Sequence, residues 1–143
     1  MQILVLAIGR LKEDYYRAAE AEYAKRLTRY TPFSIREVKD EAALIKAIPK
    51  GSRLVALDEH GASWSSEELA NRLLRAEELH GGGRPVVFII GGAEGISAEL
   101  CARASPIIAF GRITLPHRLA RIVLVEQLYR AYSILRGEPY HRG

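Results

Sequence analysis

The run Val86-Val87-Phe88-Ile89-Ile90 carries no polar side chain on either face. An apolar segment of strand length is stable only where both faces are covered, as in a parallel sheet sandwiched between helices. Leu54-Val55-Ala56-Leu57, within a strand predicted over Arg53 to Asp58, has the same character. So does Gln2 to Ile8, which Gly9 ends. Helical segments alternate with these runs. Asp14 to about Tyr30 sets Ala18, Ala19, Tyr23 and Leu27 at roughly helical spacing, and Thr31-Pro32 stops it. Phe33, Ile35 and Val38 mark a second strand. Asp40 can cap a short helix carrying Ala43, Leu44, Ala47 and Ile48, which Pro49-Lys50-Gly51 terminates. His60-Gly61-Ala62 reads as a turn, and Ser65 with Glu68 forms a capping box for a helix ending near Leu79. His80-Gly81-Gly82-Gly83 is a flexible connector. Ser97 caps a helix through Ala104, Ile107 to Phe110 is a fifth strand, and Arg118 to Arg136 is the last helix. Parallel neighbours need crossover helices, so this alternation predicts an α/β fold with a mostly parallel sheet flanked by helices. No repeat, low-complexity tract or linker interrupts it, and residues 1–143 read as a single domain.

Composition narrows the classes that remain. Apolar content of 48% and charged content of 27% describe a globular chain with a real core. No apolar run approaches the length of a membrane span, so no membrane partner is expected. The chain opens directly on a strand, without the basic leader and small-residue cleavage site of a secreted protein. A lone cysteine, Cys101, excludes an internal disulfide, and a cytoplasmic, reduced setting is expected. The net charge is +4, and from Arg112 onward six arginines face only Glu126 and Glu138. That asymmetry fits a polyanionic partner such as RNA or DNA, and equally a solvated helix face.

Three loops could form one site. Gly91-Gly92-Ala93-Glu94-Gly95 follows the clearest strand, where open α/β sheets bind their ligands. It has neither the G-x-G-x-x-G spacing of a dinucleotide fold nor the Gly-Lys-Ser/Thr of a phosphate loop, and by itself it is also a good strand-to-helix turn. Leu57-Asp58 and Phe110 to Leu115 follow two other strands. Leu57, Ile113 and Leu115 would suit a flat apolar ring such as adenine, or serve as ordinary core. Ile113-Thr114-Leu115 is stopped by Pro116, which is well placed to open the last helix. The four histidines form no H-x-x-x-H pair, so no metal is expected, and no G-x-S-x-G elbow is present. His117, between Pro116 and Arg118, is compatible with simple exposure. The last helix is apolar over more than one face, from Leu119 to Leu135. It is therefore either fully enclosed or shared with a second copy, and a symmetric dimer is the economical account.

Several of these pieces occur together in a recognisable order. They are Ile90-Gly91-Gly92 with Gly95, Ile113-Thr114-Leu115-Pro116-His117, Arg121 with Glu126-Gln127-Leu128-Tyr129-Arg130-Ala131, and Pro139-Tyr140-His141-Arg142. The opening Ile3-Leu4-Val5-Leu6-Ala7-Ile8-Gly9 fits as well. Together they resemble the SPOUT class of S-adenosylmethionine-dependent RNA methyltransferases, and more narrowly the RlmH (YbeA-like) family. The resemblance covers essentially the whole chain. It implies a trefoil knot at the carboxyl end and a homodimer whose subunits share their active sites. The implied reaction methylates N3 of a pseudouridine in helix 69 of 23S ribosomal RNA, on assembled ribosomes. S-adenosylmethionine is the donor and no metal takes part. The family's donor site falls on Leu57, Gly91, Phe110, Gly111, Arg112, Ile113, Thr114 and Leu115. Tyr140, His141 and Arg142 of one subunit would face the donor bound in the other, with His117 and Arg118 at the entrance. A non-catalytic RNA-binding α/β protein and a small-molecule nucleotide enzyme are the competing readings.

Overall fold

The computed structural model describes residues 1–142, without the side chains of His141 and Arg142. Five strands, β1 (Ile3–Ile8), β2 (Phe33–Val38), β3 (Arg53–Ser63), β4 (Val86–Ile90) and β5 (Ile107–Ala109), form one sheet in the order β2-β1-β4-β3-β5. Every strand pairing is parallel. The helices are α1 (Asp14–Leu27), α2 (Glu41–Ala47), α3 (66–80), α4 (Ala98–Ala102) and α5 (His117–Leu135). A short 3-10 turn, Pro139–Arg142, closes the chain.

The fully apolar run is where its composition requires it to be. All five residues of β4 are buried between β1 and β3, and successive side chains alternate between two cores. Val86, Phe88 and Ile90 meet Leu27 of α1, Leu69, Leu73 and Leu74 of α3, and Leu124, Leu128 and Tyr132 of α5. Val87 and Ile89 meet Leu44 of α2 and Leu100 of α4. Each such side chain contributes about 1.5–3 kcal/mol relative to exposure. α5, packed in this layer with α1 and α3, has its first turns at the carboxyl edge of the sheet. There the loops after β3, β4 and β5 meet.

Local signals set most of the boundaries. Asp40 accepts the amide of Ala43, Ser97 accepts that of Leu100, and Ser65 and Glu68 form both bonds of a capping box. Four expectations need correction. The predicted turn at His60-Gly61-Ala62 is strand: β3 bulges after Leu57 and rejoins β5 at Ala62 and Ser63. A side chain at Gly61 would lie 2.6 Å from the Ile107 carbonyl oxygen, so glycine is required by close backbone approach rather than by a turn. α1 stops at Leu27, because Thr28–Tyr30 bond back to carbonyls of the last turn. α4 ends at Ala102, and the strand after it is only three residues long, leaving Phe110 to the loop. α3 is wound as a π-helix over Leu69–Arg75, a change of hydrogen-bond step that an apolar period does not reveal.

Candidate functional site

At the carboxyl edge, the ends of β3, β4 and β5 and the first turns of α5 enclose a cleft of about 790 Å³, within the range of sites for small organic ligands. Its floor is the glycine loop. Gly95 donates to the Gly92 carbonyl at 3.0 Å, and a Cβ on Gly91 would collide with the Gly95 backbone. Only glycine allows the loop to fold this tightly and leave its backbone open to the cleft. The opposite wall is the segment after β5, tied down where Thr114 Oγ1 donates to Glu59 Oε2 at 2.8 Å.

The fold brings Leu57, Gly91, Phe110, Gly111, Ile113, Thr114 and Leu115 to this cleft together with His117. Ile113 is 78% exposed, which makes it rim rather than core. Arg112 is also exposed, but it is not part of the lining. The charge of the cleft was missed from the sequence. The lining includes Asp58, Glu59 and Glu94, while among the described residues His60 and His117 are its only basic groups and no lysine or arginine contributes. An acidic cleft in a chain of net charge +4 is the reverse of the overall balance. The adjacent Asp58-Glu59 pair after a buried strand was the available signal. His60 sits over this group, with Nδ1 3.1 Å from Asp58 Oδ1.

Behind Gly91 lies a crevice with room for little more than one water molecule, sharing Ile90, Gly91 and His117 with the cleft. The end of β1 from Ala7, the following residues to Leu11, and Arg118 and Arg121 complete it. Arg121 is 5% exposed and holds two carboxylates. Its Nε and Nη2 donate to Glu20, the second at 2.9 Å, and Nη1 lies 2.8 Å from Glu37 Oε2. Glu37 also accepts the amide of Leu11 at 3.0 Å. Burial works against the charge on Arg121, but the bonds from Glu20 and then Glu37 outweigh it and raise its pKa. Burial likewise opposes ionisation of Glu37, yet the Leu11 amide and Arg121 keep its pKa below the usual range. The network joins the start of α5 to α1, β2 and the β1–α1 loop.

The predicted tail residues are elsewhere. Tyr140 folds back on α5, its hydroxyl donating to Glu126 Oε2 at 2.7 Å and its ring packing edge-on against Tyr129 at 4.5 Å. It does not line the cleft of its own chain. Burial, then the bond to Glu126, pushes its pKa well up. His141 and Arg142 fall outside the residues whose side chains are described.

Four of the six arginines of the carboxyl half are engaged within the fold. Arg118 pairs with Glu13 at 3.1 Å, Arg121 with Glu20 and Glu37, Arg130 with Glu126 at 2.8 Å, and Arg136 with Glu78 at 2.9 Å. These are internal contacts between elements or turns, while Arg112 stays exposed. α5 itself is buried along Leu124, Leu128, Ala131 and Tyr132, while Leu119 is 36% exposed and Ile122 and Val123 are half-buried. Among the described residues no cluster of metal-ligating side chains occurs, and no helix is long and apolar enough to cross a membrane.

Residues 1–141 match the family model described as "Predicted SPOUT methyltransferase". A protein of Anaeromyxobacter sp. (strain Fw109-5) named ribosomal RNA large subunit methyltransferase H is 46% identical, across 99% of this chain and 100% of its own length. One of the same name from Chromobacterium violaceum is 42% identical, across 99% of both. A solved structure of a probable methylase family protein from Haemophilus influenzae Rd KW20 superposes with a TM-score of 0.59 at 10% identity, covering 96% of this chain and 69% of the other. Another, from work on 2-OH methylation of C/U34 on tRNA, gives 0.55 at 18% identity and covers 93% and 92%. At such identities the structural likeness speaks for the fold alone.

Proposed function

The chain belongs to the SPOUT methyltransferase family, and on that premise we propose that it methylates large-subunit ribosomal RNA, with S-adenosylmethionine held in the cleft at the ends of β3, β4 and β5. The observation that carries this reading is the cleft itself. Three chain segments far apart in sequence converge on a cavity of about 790 Å³ with an open glycine backbone on one side. Leu57, Ile113 and Leu115 offer apolar walls to an adenine ring, and the backbone of Gly91 and of residues 110–115 offers hydrogen-bonding groups to its edge and ribose. Asp58, Glu59 and Glu94 complement the positive charge of the donor. The relatives named ribosomal RNA large subunit methyltransferase H supply the substrate class.

When bound, the donor supplies a sulfonium-activated methyl group with its leaving group built in. The chain's task is alignment and proton management. In the finer form of the proposal, the acceptor is N3 of a pseudouridine in helix 69 of 23S RNA, presented by an assembled ribosome. That N3–H is a weak acid and must lose its proton as the methyl transfers, so a nearby base or cation lowers the barrier. His117 stands at the cleft entrance beside Gly91. Tyr140, with its hydroxyl committed to Glu126 and its pKa raised, stays protonated at neutral pH and serves to hold rather than to take a proton. Because the tail packs away from its own cleft, Tyr140, His141 and Arg142 are assigned to the cleft of a second subunit in a homodimer. The part-exposed Leu119, Ile122 and Val123 of α5 support such an interface. The same reading carries one SPOUT-type domain over residues 1–143, a trefoil knot at the carboxyl end and a cytoplasmic site of action.

Calorimetric titration with S-adenosylmethionine, followed by methyl transfer to purified ribosomes, tests the reading. Micromolar donor binding and one methyl group per ribosome are expected. Donor binding by Gly91→Ala should be lost, because the glycine loop must open. His141→Ala and Arg142→Ala should cut turnover at least tenfold with donor affinity unchanged. A folded protein that binds RNA but not the donor would sink the proposal.

A further inference from the structure

The internal pairing of the carboxyl-half arginines leaves open where an RNA backbone would be held, and the carboxyl edge of the sheet supplies an answer. We propose that Arg10, Lys12 and Lys39, on the loops that follow β1 and β2, form a cationic shelf that holds RNA phosphates beside the cleft. The proposal rests on RNA being the substrate and adds the surface that receives it.

Register places the shelf. Ile8 pairs with Val38 and Gly9 donates to the Val38 carbonyl at 2.9 Å, so Arg10 and Lys39 leave the sheet side by side. On the other flank of β1, Ala7 pairs with Ile90, so the glycine loop leaves one strand away. Neighbouring strands are about 4.8 Å apart, which puts Arg10 about 5 Å and Lys39 about 10 Å along the edge from Gly91. Arg10 also lines the small crevice that Gly91 and His117 share with the cleft.

Charge selects the occupant. Arg10, Lys12 and Lys39 are exposed, and the ion pairs of the described residues use other cations. Of the acids nearest in sequence, Glu13 is paired with Arg118, Glu37 with Arg121 and the Leu11 amide, and Asp40 accepts the Ala43 amide, while Asp14 is exposed at the start of α1. One strand further along, the cleft lining turns acidic at Asp58, Glu59 and Glu94. The three cations thus leave the edge on the β2–β1 side, and the lining carboxylates on the β4–β3 side. A polyanion is drawn to the β1–β2 side and repelled from the cleft interior, so that a base turned in from a shelf-bound backbone can enter while the phosphates stay out.

The test is salt-dependent binding of purified large ribosomal subunits by the triple variant Arg10→Ala/Lys12→Ala/Lys39→Ala, with calorimetry of S-adenosylmethionine alongside. Each lost phosphate contact removes about 0.7–0.9 from the slope of log K against log salt. The triple variant should flatten that slope by about 2–3, and bind the subunits at least tenfold more weakly while its donor affinity stays that of the wild type. A control, Lys50→Ala/Arg103→Ala, removes exposed cations beyond the ends of α2 and α4 and should leave the slope unchanged. Wild-type slope and affinity in the folded triple variant would overturn the shelf, as would equal flattening in the control. Failure of the wild type to bind subunits at all would instead overturn the RNA reading, and the shelf with it.

Discussion

Two buried ion networks, one at each end of the sheet, are near mirror images. At the carboxyl end the buried group is a cation: Arg121, its side chain 6% exposed, lies between Glu20 and Glu37, which reach solvent at 14% and 33%. At the amino end it is an anion. Glu77 of α3, 4% exposed, lies between Arg53 at the start of β3 and Arg84 before β4, at 3.0 and 2.7 Å. Burying one charge among two partly wet partners neutralises it while the partners keep some hydration, which limits the desolvation cost. What differs is the neighbourhood. Glu77 fastens α3 to β3 and β4 at the opposite end from the donor cleft, beside a separate hollow lined by Met1, Tyr30, Thr31 and Tyr132. Arg121 fastens the first turns of α5 to α1 and β2, beside the wall that carries His117. The first network is expected to govern stability alone, and the second to govern both stability and the site.

Arg121→Met gives the largest effect. It strands two carboxylates and should cost about 4 kcal/mol in chemical denaturation. Donor affinity should fall as well, by tenfold or more in calorimetry, with Arg121→Lys restoring much of it. If Arg121→Met lost stability with donor affinity intact, the contrast between the two networks would collapse. Glu77→Ala should cost less, about 2 kcal/mol, because Arg53 and Arg84 are already 31% and 41% exposed and can rehydrate. Its donor affinity should match the wild type.

A pH series sharpens the same comparison. The bond from Arg84 in first place keeps the pKa of Glu77 below the usual carboxylate value despite burial, and that of Glu37 is also lowered. A depressed folded pKa contributes stability that is complete above about pH 4.5 and is lost as pH falls through the folded value. The wild type should therefore weaken on acidification below about pH 4.5, and Glu77→Gln should show a shallower acid limb in denaturation midpoints. The smallest effect belongs to Ser65→Ala, which removes one arm of the capping box. It should cost about 1 kcal/mol without touching either network.

Much of this architecture could be read from short stretches of chain. Asp40, Ser65 with Glu68, and Ser97 each act over three residues, so their helix starts were legible directly. The buried strand Val86–Ile90 was legible because only a covered sheet accepts five apolar residues in a row. Gly61 was misread, since its need for glycine comes from the backbone of Ile107, a partner outside any local window. The partners of the arginines were illegible for the same reason. Arg118 and Glu13 are 105 residues apart, and Arg121 and Glu20 are 101 apart, so a local count saw surplus positive charge where the fold makes pairs.

The donor loops show both outcomes in one place. Leu57, the Gly91 loop and the Phe110 to Leu115 segment were each marked by following an apolar strand, and the sheet order then set them around a common space. Arg112 belonged to the same sequence segment but is not part of that lining, while Glu59 joined Asp58 in it unannounced. Sequence by itself determined the alternation of strand and helix, the caps, and the residues able to leave a sheet edge as open backbone, because propensity and hydrophobic period act locally. Only the tertiary structure decided the strand order, the partner of each charge and the sign of the cleft, because these depend on distances that the chain closes only when it folds.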